Sequence, residues 1–136
     1  MLRSYSRLFL VCSALILGAA CATAPPKSAE EAVRERAQAW LDALMAFDFE
    51  GSYQFTTPAY QTAHSVKWYS KNYGGRNMWR SASLGDIRCD ESEEFGVCEV
   101  DLVLTYRGFN MPDYMTTVVR ETWVKSGDDW YTQPRQ

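Results

Sequence analysis

Apolar residues recur at helical spacing in the first half of the chain. Between residues 28 and 45 they fall three or four positions apart, at Val33, Ala37, Trp40, Leu41 and Leu44. Polar residues fill most other positions, which is typical of an amphipathic helix with one buried face. Ser28 and Glu31 have the spacing of a capping box, and we therefore predict a helix that begins at Ser28 and ends near Met45.

Shorter helical segments follow the long one. Residues 49–55 are predicted to form a second helix, and Thr57 with Pro58 has the pattern of a helix cap followed by proline at the first helical position. Residues 65–73 predict a further helical piece, which the glycine pair beginning at Gly74 ends.

After residue 75 the apolar spacing changes from helical to alternating. Strands are predicted over residues 79–89, 97–107, 114–125 and 130–132, and Gly85 is expected to form a bulge in the first strand. Alternation of apolar and polar side chains marks a sheet with one buried side. Helices followed by hairpin-connected strands predict an α+β fold, with N-terminal helices packed on an antiparallel sheet.

The first twenty residues have the pattern of an export signal. Arg3 and Arg7 precede the apolar run 8–17, and small residues follow it. The run is far shorter than the ~20 residues that a membrane-spanning helix needs. We therefore predict a signal peptide over residues 1–20, a tether over 21–27 and a single α+β domain over 28–136.

Cys21 stands directly after this leader and resembles the lipobox cysteine of bacterial lipoproteins, whose thiol is acylated and becomes the new N-terminus. The family prefers Leu three residues before the cysteine, where this chain has Gly18. The resemblance implies a membrane contact through acyl chains on Cys21, and Ala22 after it implies the outer membrane, facing the periplasm. The alternative is ordinary cleavage near Ala20 or Ala22 to a soluble exported protein.

The charge balance narrows the range of partners. The chain has 14 Lys and Arg against 17 Asp and Glu, a net charge of −3, and loss of Arg3 and Arg7 with the leader would make the remainder more acidic. No basic cluster remains to neutralise nucleic-acid phosphates, so no nucleic-acid partner is expected. Anionic lipid headgroups are likewise expected to attract the domain little, which leaves the acyl chains to hold it on a membrane.

Four cysteines are present, and two of them remain once Cys12 leaves with the signal and Cys21 is assigned to lipid. Cys89 and Cys98 lie in strand-like sequence on either side of a short polar stretch, in an oxidising compartment, which predicts a disulfide across a hairpin. The alternative is a metal pair, but the spacing is poor for zinc and His64 is the only histidine.

The order of elements resembles the nuclear transport factor 2-like superfamily, whose cone-shaped, cystatin-like domain folds a curved sheet around helices. The resemblance rests on residues 39–44, 48–49 with Tyr53, 57–60, Glu121-x-Trp123 and 129–131. Related cone folds include isomerases, dehydratases and polyketide cyclases. Their catalytic sets match no motif of this chain, so no catalytic residue is carried over.

Glu121 is the polar residue that is the best candidate for a catalytic role. On its predicted strand it shares a face with Met115, Thr117, Val119 and Trp123. A carboxylate in an apolar cavity has a raised pKa and can serve as general acid or base. The alternatives pair Glu121 with an arginine or place it at the rim.

Other catalytic and metal chemistry has weaker support. His64 is a lone imidazole in a loop before a predicted helix, whereas nucleophilic catalysis needs a base held beside its nucleophile. Asp90, Glu91, Glu93 and Glu94 lack the oxygen spacing of calcium loops and are expected to form a solvated hairpin tip. Neither a metal nor a cofactor is predicted.

Aromatic side chains cluster in the helical segment and its exit. They are Tyr53, Tyr60, Trp68, Tyr69, Tyr73 and Trp79. Such residues can line an apolar ligand pocket, although they are more often simply core. Phe109 and Met111 stand in a predicted turn, where polar residues are usual. We expect a partner contact or a lip over the pocket there, or else a turn folded back on its own domain.

These observations favour an exported, lipid-anchored envelope protein that binds a small apolar ligand or another envelope protein without transforming it. One alternative is a small cone-fold enzyme that uses Glu121 as general acid or base. Another is a structural accessory that docks to a larger assembly through the turn containing Phe109 and Met111.

Overall fold

The computed structural model describes residues 26–90 and 96–134. The predicted leader, Cys21 and most of the tether lie outside the described residues, as do Glu91, Glu93 and Glu94. Five helices are followed by four strands within the described part. They are α1 Ala29–Met45, α2 Phe49–Tyr53, α3 Pro58–Ala63, α4 Val66–Lys71, the 3₁₀ helix η1 Arg76–Met78, β1 Trp79–Asp90, β2 Val97–Tyr106, β3 Met115–Ser126 and β4 Asp129–Gln133.

The helix α1 begins as the capping box predicts. The Ser28 hydroxyl accepts from the Glu31 backbone N–H at 3.2 Å, and the Glu31 carboxylate accepts from the Ser28 N–H at 3.1 Å. These bonds satisfy backbone donors that the first helical turn leaves open. The five predicted apolar positions, from Val33 to Leu44, are all buried.

The next helices are shorter than predicted because side-chain caps start them and the chain then turns away. Thr57 caps α3, with Pro58 at its first position as expected, and Ser65 caps α4. The predicted second helix ends early at Tyr53. The reason is that Thr56 leaves the helical path to form an isolated bridge with Thr132 of β4.

The strands form a four-stranded antiparallel sheet in the order β1-β2-β3-β4. Their predicted bounds differ from the observed ones by at most one residue at either end. The register of β1 against β2 shifts between Leu84 and Ile87, where Gly85 was expected to form a bulge. On β2, the residues Cys98, Val100, Leu102 and Leu104 are buried on one face, as the alternation predicts.

The helices pack on the buried face of this sheet, so the predicted α+β architecture is confirmed. Trp40 of α1 meets Trp123 of β3 edge to face, with ring centroids 6.0 Å apart. Both side chains are fully buried at the centre of the core. Burial of apolar area between the two layers is the main favourable contribution to such a fold.

Cys89 and Cys98 face each other in the β1–β2 ladder, and their sulfur atoms are joined at 2.01 Å. The pairing that the sequence predicts is thus the one found. Within the described part of the chain, no helix has the length and apolar character that crossing a membrane requires.

Candidate functional site

A cleft of about 230 Å³ opens between the end of α4 and the buried face of the sheet. Polar and apolar side chains share its wall. They are Asn72, Tyr73, Trp79, Leu102, Val119 and Glu121. The cleft therefore combines a carboxylate and two aromatic side chains with an aliphatic floor.

Glu121 reaches this cleft because strand alternation turns it toward the helices. It stands two residues before the fully buried Trp123 on β3, and it is only 7% exposed. Val119 lines the same cleft on the same face. Met115 and Thr117, which the alternation also assigned to that face, are exposed at the start of β3.

Two buried tyrosines lie close enough to Glu121 to sense its charge. Burial raises the pKa of Tyr69 to about 12, against the lowering effect of hydrogen bonds to Ser52, Trp40 and Tyr73, and the Glu121 carboxylate adds a smaller raising contribution. Burial also raises the pKa of Tyr73 well above its usual range, with Tyr69 and Glu121 adding to the shift. Both phenols are therefore neutral at physiological pH.

The predicted aromatic cluster divides into a packed core and a short stretch of cleft wall. Tyr53, Tyr60, Tyr69 and Tyr73 are buried and contact one another through tilted or edge-to-face rings. Their hydroxyl groups are satisfied within the helices: that of Tyr53, for example, donates to the His64 carbonyl at 2.6 Å. Of the six residues, Tyr73 and Trp79 line the cleft.

Trp68 and His64 lie at the outer surface of the helical layer. The Trp68 side chain is 52% exposed, and the His64 ring stacks on it with centroids 5.9 Å apart. His64 caps the C-terminal end of α3 and lies directly before Ser65, the N-cap of α4, so it precedes a helix as the sequence predicts. Its other ring contact is Tyr60 at 4.6 Å. This arrangement is an aromatic surface stack.

A second, larger concavity of about 800 Å³ lies where β1 begins and where the turn between β2 and β3 closes. Phe109 and Met111 both line it, and Phe109 is 91% exposed. Phe109 therefore does not fold back onto the domain, which was one of the alternatives for this turn. Arg80, Arg107 and Tyr114 line the same concavity.

Several of these positions were not singled out from the sequence. The pairing of Trp79 with Tyr106 brings Arg80 and Arg107 to one end of the sheet. This proximity follows from the hairpin register, so matching the two predicted strands residue by residue would have found it. Asn72, whose side-chain N–H donates to the Tyr60 hydroxyl at 3.3 Å, had no comparable sequence signal.

In the part of the chain that the structure describes, side chains are not grouped in a way that could bind a metal ion. No group of three or more His, Cys, Asp or Glu side chains is close enough there to hold an ion. Asp90 ends β1, and the rest of the predicted acidic hairpin tip is outside the described residues.

No protein-family model matches the sequence, and no curated protein is significantly similar to it. Among solved structures, the fold is similar to that of a SEC-C motif containing protein from Rhodopseudomonas palustris. The TM-score is 0.49 at 12% sequence identity, over 68% of this chain and 68% of that one.

Proposed function

We propose that this chain is an exported, lipid-anchored envelope protein whose folded domain binds a small ligand in the Glu121 cleft without transforming it. The leader and Cys21 support export and anchoring. The observation that carries the binding role is a nearly buried carboxylate in the wall of a cleft that is otherwise mainly aromatic and aliphatic. A few well-placed polar groups in an apolar concavity are the usual composition of a ligand site.

The side chains restrict the ligand's chemistry. An ionised carboxylate only accepts hydrogen bonds, so the group that meets Glu121 must donate. Trp79, Leu102 and Val119 offer apolar surface to the rest of the ligand. The volume of about 230 Å³ lies below the roughly 300–1,000 Å³ of sites for drug-sized ligands. The proposed ligand is therefore a small apolar molecule with one amine or hydroxyl group.

We also propose that the helices and sheet form a nuclear transport factor 2-like cone, which is the cystatin-like arrangement that the sequence resembles. The helix-first order of elements and the position of a cleft between helix and sheet support it. An experimentally determined structure tests the proposal directly. A sheet that does not curve around α1 would remove it while leaving the α+β layers in place.

The binding role is tested with matched probes on isotope-labelled protein. Benzylamine, benzyl alcohol and benzoate share an apolar ring and differ in the polar group. We expect the amine and the alcohol to shift the methyl signals of Leu102 and Val119, and benzoate to leave them unchanged because its charge repels Glu121. Glu121→Gln should remove this discrimination.

Glu99→Gln is the matched control, since Glu99 lies on the neighbouring strand and alternates with the buried residues of β2. It should retain the wild-type preference. Methyl signals of Leu102 and Val119 that respond to none of the three probes would count against a ligand cleft.

The anchor is tested separately by mass spectrometry of the protein from its native cells. We expect a mature N-terminus at Cys21 that carries acyl chains, and Cys21→Ser should abolish the acylation. A leader left intact, or cleavage without acylation, would contradict the anchor and leave the cleft proposal standing.

The enzyme alternative keeps one observation in its favour: Glu121 shares its cleft with Tyr73, whose phenol is held neutral by burial. A carboxylate and a neutral phenol can act as base and hydrogen-bond donor in a proton transfer. Carbon NMR titration decides whether the role is available. A Glu121 carboxyl group that titrates near the ordinary ~4.3 of glutamate removes the reason to propose catalysis.

A further inference from the structure

We propose that the end of the domain opposite the N-terminus of α1 inserts into the surface of a lipid bilayer that contains anionic headgroups. This end is called the tip, and it consists of Met78, Arg80, Arg107, Phe109, Met111 and Tyr114. The proposal concerns a different surface from the Glu121 cleft and does not depend on what the cleft binds.

The tip exposes large apolar side chains that are not packed in the core. Phe109 is 91% exposed, Tyr114 52%, Met78 42% and Met111 38%, and the neighbouring Met115 is 46% exposed. Single exposed apolar residues are ordinary, whereas a contiguous group of them marks an interaction surface. These residues lie together because Met78 precedes β1, and the turn that carries Phe109 and Met111 joins β2 to β3.

The charge of the tip is opposite to that of the whole chain. No carboxylate side chain lines the concavity, whereas Arg80 and Arg107 do. Within the described residues neither arginine forms a salt bridge, although Arg36, Arg88 and Arg120 each do. Phosphate groups of anionic lipids would complement the two guanidinium groups, each with roughly 1 kcal/mol of attraction near a membrane surface.

The net negative charge of the chain predicts little attraction between the domain and anionic headgroups. That prediction holds only if the charged side chains are evenly distributed over the surface. The tip is a local exception, because the acidic side chains of Glu99 and Asp101 stand on β2 and engage Arg88 and Arg120 there. Asp113, at the end of the turn, does not line the concavity.

A bilayer suits the tip better than a protein partner does. A stable protein interface takes about 20–30 residues from each side, and the tip is formed mainly by one short turn and the start of a strand. A bilayer needs no shape complementarity from a protruding phenylalanine. Arg107 lies over the Tyr114 ring at 5.1 Å, a pairing that can place an aromatic ring and a cation together at headgroup depth.

The predicted tether is long enough for an acylated Cys21 and the tip to contact the same membrane. Arg76, which precedes Met78, donates to the carbonyls of Leu44 and Met45 and so fixes the tip beside the C-terminal end of α1. The 17 residues of α1 span about 25 Å. Residues 21–28 can extend by roughly the same distance, so an anchored Cys21 does not prevent the tip from touching the bilayer.

Methionine methyl groups provide the test, because they mark the tip and one internal position. After removal of the leader the methionines are Met45, Met78, Met111 and Met115. Purified mature protein with labelled methionine methyls is added to phosphatidylcholine vesicles, with or without phosphatidylglycerol, that carry a spin-labelled lipid. We expect the signals of Met78, Met111 and Met115 to broaden strongly with phosphatidylglycerol present, and that of Met45, which packs against the core behind the tip, to broaden less.

Two variants separate insertion from simple proximity to the membrane. Phe109→Asp and the double change Arg80→Gln with Arg107→Gln should each abolish most of the broadening. Both are expected to fold, since Phe109 is almost fully exposed and neither arginine has a salt bridge in the described chain. Trp68→Asp, an equally drastic change at an exposed aromatic away from the concavity, should keep the wild-type broadening.

The proposal is overturned if all four methyl signals broaden alike, if none does, or if phosphatidylglycerol makes no difference. It is also overturned if Phe109→Asp behaves as wild type. Under any of these outcomes a protein partner becomes the better candidate for the tip. Failure of the Glu121 probes would leave the methionine result unchanged, so the two proposals are judged independently.

Discussion

Two buried threonines at one contact have unequal hydrogen bonding. Thr56 and Thr132 form an isolated bridge, and both are fully buried. The Thr56 hydroxyl donates to the Tyr53 carbonyl at 2.8 Å. The Thr132 hydroxyl has no hydrogen-bond partner among the described residues. A buried hydroxyl without a partner has lost its hydrogen bonds to water and gained nothing in return.

We therefore predict opposite outcomes for the same substitution at these two positions. Thr132→Val should leave the free energy of unfolding unchanged or raise it by up to about 1 kcal/mol, since it replaces an unsatisfied hydroxyl by a methyl. Thr56→Val should lower it by about 1 kcal/mol because it removes the buried hydrogen bond from the Thr56 hydroxyl to the Tyr53 carbonyl. Urea denaturation of both variants measures the difference. Equal losses in the two would show that the Thr132 hydroxyl is satisfied.

Arg76 is a buried cation with a structural explanation. It is 4% exposed, and its Nε–H donates to the Leu44 carbonyl at 2.8 Å. Its guanidinium also lies over the rings of Phe47 and Trp79 at 4.5 and 5.5 Å. The last turn of α1 has no basic residue of its own, so Arg76 supplies the donors and positive charge that helix C-termini favour.

Arg76→Met should lower the free energy of unfolding by about 2–3 kcal/mol, because it leaves the final carbonyls of α1 without a charged donor. Arg80→Met, four residues along, is the matched control and should change it by less than about 0.5 kcal/mol. Chemical denaturation followed by circular dichroism gives both values. A loss at Arg76 no larger than that at Arg80 would contradict the capping role.

At the scale of elements, local signals explain which segments were predictable. Caps such as Ser28 and Thr57 act within one turn of chain, and strand alternation fixes the face of Glu121. The cleft itself depends on β3 meeting the end of α4, and no local pattern specifies that contact. Trp68 shows the same limit, since it faces solvent while Tyr69 beside it is buried. Composition alone could not separate two adjacent aromatic residues.

The helices α1 and α4 are joined by a buried hydrogen bond. The Trp40 indole N–H donates to the Tyr69 hydroxyl at 3.0 Å, and both side chains are fully buried. Tyr69→Phe leaves this donor without its acceptor and should lower the free energy of unfolding by about 1–3 kcal/mol at neutral pH. Tyr114→Phe, at an exposed position, should change it by less than about 0.5 kcal/mol.

The same variant should alter stability at alkaline pH. Burial raises the pKa of Tyr69 to about 12 in the folded state, against about 10 in the unfolded chain. A raised folded pKa contributes stability that is fully present below pH about 10 and is lost as the pH rises toward 12. Tyr69→Phe should therefore lose stability less steeply over that interval. Parallel slopes in urea denaturation would contradict the shift.

At the scale of the whole molecule, one covalent link joins the first two strands. The disulfide between Cys89 and Cys98 closes a loop with a sequence separation of 9. Such a loop is expected to add roughly 2–3 kcal/mol in the chain-entropy description. Replacing both cysteines by alanine should lower the free energy of unfolding by about that amount, and a reductant should destabilise only the wild type. Reductant that acts equally on both would exclude the disulfide as the cause.

The bulged β1 strand has a consequence for crowding on a surface. Proteins attached to a membrane share a thin layer and meet one another far more often than in free solution. The outer side of β1 is an edge of the sheet, and its irregularities at residues 79–81 and 84–87 interrupt the even spacing of hydrogen-bonding groups. A neighbouring copy would find no long straight row to extend. If the domain is anchored as we propose, copies on the same membrane can therefore lie side by side without β1 extending into a continuous sheet.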